Sequence, residues 1–224
     1  MARFPKLVDA LAEVDGRPRG VLDHMAREVR EAGLIETTGA GWAAAQMTSL
    51  DAAHLILGVY GSSGRGDAAD AARILGGLRR NPMNRVLTQT HPHLHPAVET
   101  IALQPTLVEA VAALIELGPQ LADQTLRTQS SLPGIDQLPD GADGRELDGW
   151  PQGLAVLLRI ARPTLEPYIH FGWRGPRQVE DVVVEYVWGR AAPDGLRRLA
   201  PYEVHTFVHA RIFQALHRAL YSAR

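Results

Sequence analysis

The chain has 224 residues, no cysteine and a formal net charge of −2, from 23 Lys plus Arg against 25 Asp plus Glu. Without cysteine there are no disulfides and no thiolate metal sites, and the slight acidity argues against a protein that coats nucleic acid by bulk charge. A hydrophobic fraction of 46% and a charged fraction of 21% suit a chain with a real core.

The length fits one domain or two. No run of about 18 apolar residues occurs, so no membrane partner is expected. Acidic residues interrupt the opening MARFPKLVDALAEVDG where a signal peptide would be apolar. A cytoplasmic protein is the expectation.

Residues 4–15 place Leu7, Val8, Leu11, Ala12 and Val14 at spacings of three and four, which predicts a helix. Gly16-Arg17-Pro18 breaks it. A second helix then runs to Arg30, with Leu22, Met25, Ala26 and Val29 inward and Arg19, Asp23, His24, Arg27 and Arg30 on its outer sides. Gly33 is placed for a left-handed cap. Ile35 to Thr38, the tip Gly39-Ala40-Gly41 and Trp42 to Met47 predict a hairpin. Thr48-Ser49-Leu50-Asp51 fits a capping box opening a third helix, with Leu55, Ile56, Val59 and Tyr60 along it and a stop at Gly61. Asp67 to Leu78 predicts a fourth helix, with Ala71, Ile74 and Leu75 inward.

The segment REVREAGLI, followed by a glycine-tipped loop and a helix beginning MTSLDAA, resembles winged helix-turn-helix transcription regulators of the MarR and ArsR kind. The resemblance covers about 50 residues. More faintly, the stretch is similar to phage- or prophage-associated bacterial proteins. The first resemblance implies a regulator that binds double-stranded DNA, with the helix 19–30 in the major groove. Arg19, Asp23, His24 and Arg27 would then face the bases, with Arg17 and Arg30 nearer the phosphates. Thr38, Gly39, Gly41 and Trp42 would belong to the wing. The tip GAGWAA has no arginine or lysine, so Trp42 is expected to turn inward and pin the wing.

From Leu78 to Pro96, prolines and arginines punctuate the chain. They suggest a winged-helix domain at 1–85, a linker at 86–105 and an α+β domain at 106–224. The alternating His91, His93 and His95 suit a metal by spacing, but the prolines between them favour a plain connector. Thr106 to Glu109 is a full capping box, and a helix follows to Gly118. Residues 124–149 are rich in Gly, Pro, Ser and Asp, which predicts a long flexible loop.

The last third turns β-prone. Gly153–Ala161, Tyr168–Trp173 and Val179–Trp188 predict three strands of an antiparallel meander. Val204, Val208, Ile212, Leu216 and Leu220 step by four and predict a closing helix, whose start around Tyr202–Thr206 is alternatively a fourth strand. The fold class is therefore α+β, with strands packed by helices. The C-terminal part is expected to form a homodimer or bind a protein partner.

Catalytic chemistry is not in view. Gly61-Ser-Ser-Gly-Arg-Gly lacks the Lys-Ser/Thr ending of a phosphate loop and follows a helix. His205 and His209 are four apart without the glutamate of a zinc hydrolase. Glu180, Asp181 and Glu185 are expected on a solvated strand. No catalytic residue, cofactor or metal is expected, and the chain is read as no enzyme. The alternative to the regulator is a phage structural or assembly protein, such as a packaging or connector component, using the winged helix for protein contacts.

Overall fold

A computed structural model of the chain describes residues 3–36, 45–64, 66–82, 96–121, 155–162, 167–174, 179–187 and 204–221. Helix α1 (Phe4–Asp15) buries Leu7, Val8 and Leu11, the spacing seen in the sequence, and ends at Gly16 with φ 87°. Helix α2 (Arg19–Glu31) buries Leu22, Met25, Ala26 and Val29. It ends in a Schellman motif: Gly33, at φ 76°, donates its N–H to the Arg30 carbonyl, and Leu34 donates to that of Val29. That conformation admits glycine without a Cβ penalty.

Helix α3 (Ser49–Gly61) opens on the expected capping box. The Asp51 N–H donates to Thr48 Oγ1, and the Thr48 N–H donates to Asp51 Oδ2 at 2.8 Å. Asp51 also accepts from the Glu36 N–H at 3.1 Å, which ties the segment after α2 to the start of α3. With Ala52, Ala53, Leu55, Ile56, Leu57 and Val59 all buried, α3 is the central helix, packed by α2, α4 (Ala68–Gly76) and α6 (Leu107–Leu117). Helix α6 opens on the second expected box, Thr106 with Glu109.

Strand β1 (Arg79–Arg80) joins these helices to the sheet. It pairs with β4 (Val179–Val187), bridges Arg79 to Thr106, and continues through the Asn81 N–H to the Glu185 carbonyl. Strands β2 (Ala155–Arg162), β3 (Tyr168–Arg174), β4 and β5 (Val204–His209) complete a sheet of order β1-β4-β3-β2-β5, antiparallel throughout. The predicted meander is present. One face carries Leu158, Ile169, Val184 and Val208 in cross-strand register, all buried against the helices. Helix α7 (Ala210–Tyr221) follows β5 directly and buries Ile212, Phe213, Leu216 and Leu220.

The chain is thus a mixed α+β protein with an antiparallel sheet. One local expectation is corrected, and one pair of alternatives is decided. Residues 96–102, placed in a linker at 86–105, form helix α5 (Pro96–Ala102) with Ala97, Val98 and Ile101 buried. Val204–His209 is a strand, the alternative to a helical start around Tyr202–Thr206. Its β-branched Val204, Thr206 and Val208 favour extended backbone, and pairing with β2 overrides a four-residue spacing that Val208 satisfies in either conformation. Buried apolar residues from Leu7 to Leu220 form one cluster, and α1 packs against α7. Thr38, Gly39, Gly41 and Trp42, the histidines at 91, 93 and 95, and the 124–149 loop lie outside the described residues. Among the described residues, no helix is long and apolar enough to cross a membrane.

Candidate nucleic-acid interface on helix α2

Burial of Leu22, Met25, Ala26 and Val29 turns the opposite side of α2 to solvent. Arg19, Asp23 and Arg27 fall there at successive steps of four, a stripe about 12 Å long. Asp23 sits between the two arginines. Arg27 Nη2 donates to its Oδ2 at 2.9 Å, and Arg19 Nη1 lies 4.0 Å from its Oδ1. Arg19 Nε also donates to Asp9 of α1 at 2.6 Å. Both arginine side chains are about half exposed (51% and 54%). Exposed pairs of this kind are typically worth under about 1 kcal/mol, so a phosphate or base edge can take the place of the carboxylate.

His24 lies beside this stripe, with Nε2 3.0 Å from Glu28 Oε1. Glu28 has a second task. Its carboxylate accepts from the N–H of Gly66 at 2.8 Å and of Ala68 at 3.1 Å, and so caps the N-terminus of α4 from outside that helix. Such a carboxylate satisfies orphan donors and complements the helix dipole. His24 is therefore anchored to a fixed group.

Arg17 and Arg30 are placed differently from the phosphate-facing positions expected of them. Arg17 grips Asp15 with two prongs, donates to the Val59 carbonyl at 3.3 Å and lies 5.1 Å from the Tyr60 ring centre. The Tyr60 hydroxyl donates to Asp15 Oδ2 at 2.6 Å. Burial, then the Asp15 carboxylate, raises the Tyr60 pKa, so the hydroxyl stays a donor. This group of three locks α1, the turn and α3 together. Arg30 points back to α1, its guanidinium 4.8 Å from the Phe4 ring centre.

Charge on α2 is balanced: Arg19, Arg27 and Arg30 against Asp23, Glu28 and Glu31. What the exposed stripe offers is thus directional donors, with little net field. Among the described residues no group of three or more His, Asp or Glu is placed to hold a metal ion. A shallow groove of about 380 Å³ lies where Leu50, Thr100, Gln104 and Leu117 meet. Its polar groups serve the helices: Thr100 Oγ1 donates to the Pro96 carbonyl, Gln104 Nε2 to the Thr100 carbonyl, and Glu109 closes the α6 capping box.

Sequence reasoning passed over the outer face of the sheet, where Tyr168, Arg159 and Phe207 lie in one cross-strand row. Alternation in β3 carried the signal for Tyr168, whereas the adjacent leucines of β2 blurred it for Arg159. The helical spacing of Val204, Val208 and Ile212 hid Phe207. No protein-family model, no curated protein and no solved structure matches the chain.

Proposed function

We propose that the chain is a DNA-binding transcription regulator of the winged helix-turn-helix kind, reading double-stranded DNA with α2 and acting as a homodimer. The observation that carries this reading is the stripe of Arg19, Asp23 and Arg27, with His24 beside it, held in surface pairs that a duplex can displace. Arginine is suited to guanine edges and phosphates, and aspartate accepts from the cytosine amino group. Arg17 and Arg30 are assigned to the fold and leave the contact set. The test is a gel-shift with genomic fragments recovered by pull-down. Arg27→Ala should weaken specific binding roughly 5- to 150-fold, the worth of one good base contact, and unchanged affinity sinks the reading.

A second reading has its own observation. Asp9, Asp23 and Glu31 balance the arginines, and a self-neutralised face suits a protein partner better than a polyanion. The chain would then be a phage structural or assembly component. Light scattering after size exclusion separates the two, since a dimer fits the regulator and a large ring fits the assembly component.

A further inference from the structure

Strand alternation gives the sheet a second face, turned away from the helices. Register pairs Arg159 of β2 with Tyr168 of β3 on one side and with Phe207 of β5 on the other, and Tyr168 with Glu185 of β4. These side chains form a continuous array of flat groups. The Arg159 guanidinium lies 5.3 Å from the Tyr168 ring centre. Its Nε donates to His205 Nδ1 at 2.9 Å, and the His205 ring stacks on Phe207, 6.5 Å between centres and 18° from parallel. Phe207, on the last strand of the sheet, is 48% exposed. Phe207 thus presents an apolar ring to solvent beside the His205 ring.

The charge on this face differs from that of the chain. Among the described side chains it carries Arg79, paired in register with Val187, and Arg159, with His170, His205 and His209. Among the described side chains one carboxylate stands against the two arginines, that of Glu185, which accepts from Asn81 Nδ2 at 3.0 Å. Among the described side chains, this surface of a protein of net charge −2 thus sets two arginines beside a row of rings.

We propose that this outer face binds single-stranded nucleic acid, with Phe207 and His205 stacking on bases and Arg159 and Arg79 meeting phosphates. Rings on a sheet can stack only on bases freed from pairing, and stacking tolerates any base because each has a π-face. A duplex hides those faces, and a gently twisted sheet does not enter its grooves as a helix does. A second copy placed face to face would bring arginines together. The site is independent of the α2 reading.

The test is fluorescence anisotropy of the full chain with labelled thymidine and uridine homopolymers at low and moderate salt. Both should bind, more weakly as salt rises. Phe207→Ala should lose at least about fivefold in affinity, and Phe207→Trp should keep or improve it, while thermal unfolding of both variants stays near that of the parent. Arg27→Ala should leave homopolymer binding unchanged, so that failure of the duplex reading and failure of this one are distinguishable. Absence of homopolymer binding overturns the proposal, as does a Phe207→Ala protein that binds as tightly as the parent. Conversion of an oligomer to a monomer by Phe207→Ala, without any homopolymer binding, also overturns it and makes the face a contact between copies.

Discussion

Asp15 and Arg17 meet across the turn between α1 and α2 in a two-pronged pair, Nε to Oδ1 at 2.6 Å and Nη2 to Oδ2 at 2.8 Å. Only 4% of the Asp15 side chain is exposed. Burial pushes its carboxyl up, but the Arg17 and Tyr60 hydrogen bonds together outweigh that and hold it below the ordinary 3.8. A depressed carboxyl contributes stability above its unfolded value and loses it as pH falls through the folded one. Asp15→Asn should therefore cost about 2–3 kcal/mol at neutral pH, as expected for hydrogen bonds to a charged group. It should also flatten the loss of stability below about pH 4. Urea unfolding across that range checks both effects, and a variant with the parent's acid limb would remove Asp15 from the account.

His54 of α3 acts in a higher window. Burial lowers its pKa from 6.5, against the Asp51 carboxylate and the Leu50 backbone, which pull the other way. The unfolded chain takes up this proton first. Stability then falls as pH drops through 6.5 and levels off below the folded value. His54→Leu should reduce the slope of unfolding free energy between about pH 7 and pH 5 while leaving the Asp15 window untouched. An unchanged slope would mean that His54 charges freely in the fold.

Glu28 joins α2 to α4 through the N–H groups of Gly66 and Ala68. No local signal in the sequence marks it, because it caps a helix about 40 residues further on. Glu28→Ala should cost about 1–2 kcal/mol, the worth of a lost N-cap. Amide exchange should quicken at Ala68, Ala69 and Asp70 before it does elsewhere. Glu28→Gln, which keeps an oxygen acceptor, should lose less.

How much was legible divides along the range of the forces. Both capping boxes, the Gly33 stop, the apolar stripe of α2 and the three-strand meander are local, and local chemistry announces them. Helix α5 was missed because PAVETIA lies among prolines and is too short to show a period; it is helical because Ala97, Val98 and Ile101 have a core to enter. The start of the last helix stays open between helix and strand in the sequence because strand pairing with β2, which makes Val204–His209 a strand, is a long-range fact. At the candidate site, the exposure of Arg19, Asp23, His24 and Arg27 followed from the helical wheel. The diversion of Arg17 to Asp15 and Tyr60, and of Arg30 to Phe4, depends on how α1 and α3 pack, which spacing along α2 does not record.

A close contact among three helices tests that packing directly. A Cβ on Gly58 of α3 would lie 2.5 Å from Val29 Cγ2 of α2 and 2.9 Å from the Ala68 carbonyl oxygen of α4. Alanine is the better helix former by about 1 kcal/mol, so propensity alone says that Gly58→Ala stabilises. Overpacking against a backbone oxygen says the opposite, at about 1–3 kcal/mol, and should win. Gly20 of α2 has nothing within 4 Å of the same added atom, so Gly20→Ala should be neutral or gain up to about 1 kcal/mol. Val29→Ala in the Gly58→Ala background should return part of the loss, giving a coupling of about 0.5–3 kcal/mol between the two sites. The return stays partial because the Ala68 oxygen does not move away. If Gly58→Ala unfolds at the same urea concentration as Gly20→Ala, α2, α3 and α4 do not cross as closely as described, and the support for the α2 stripe goes with them.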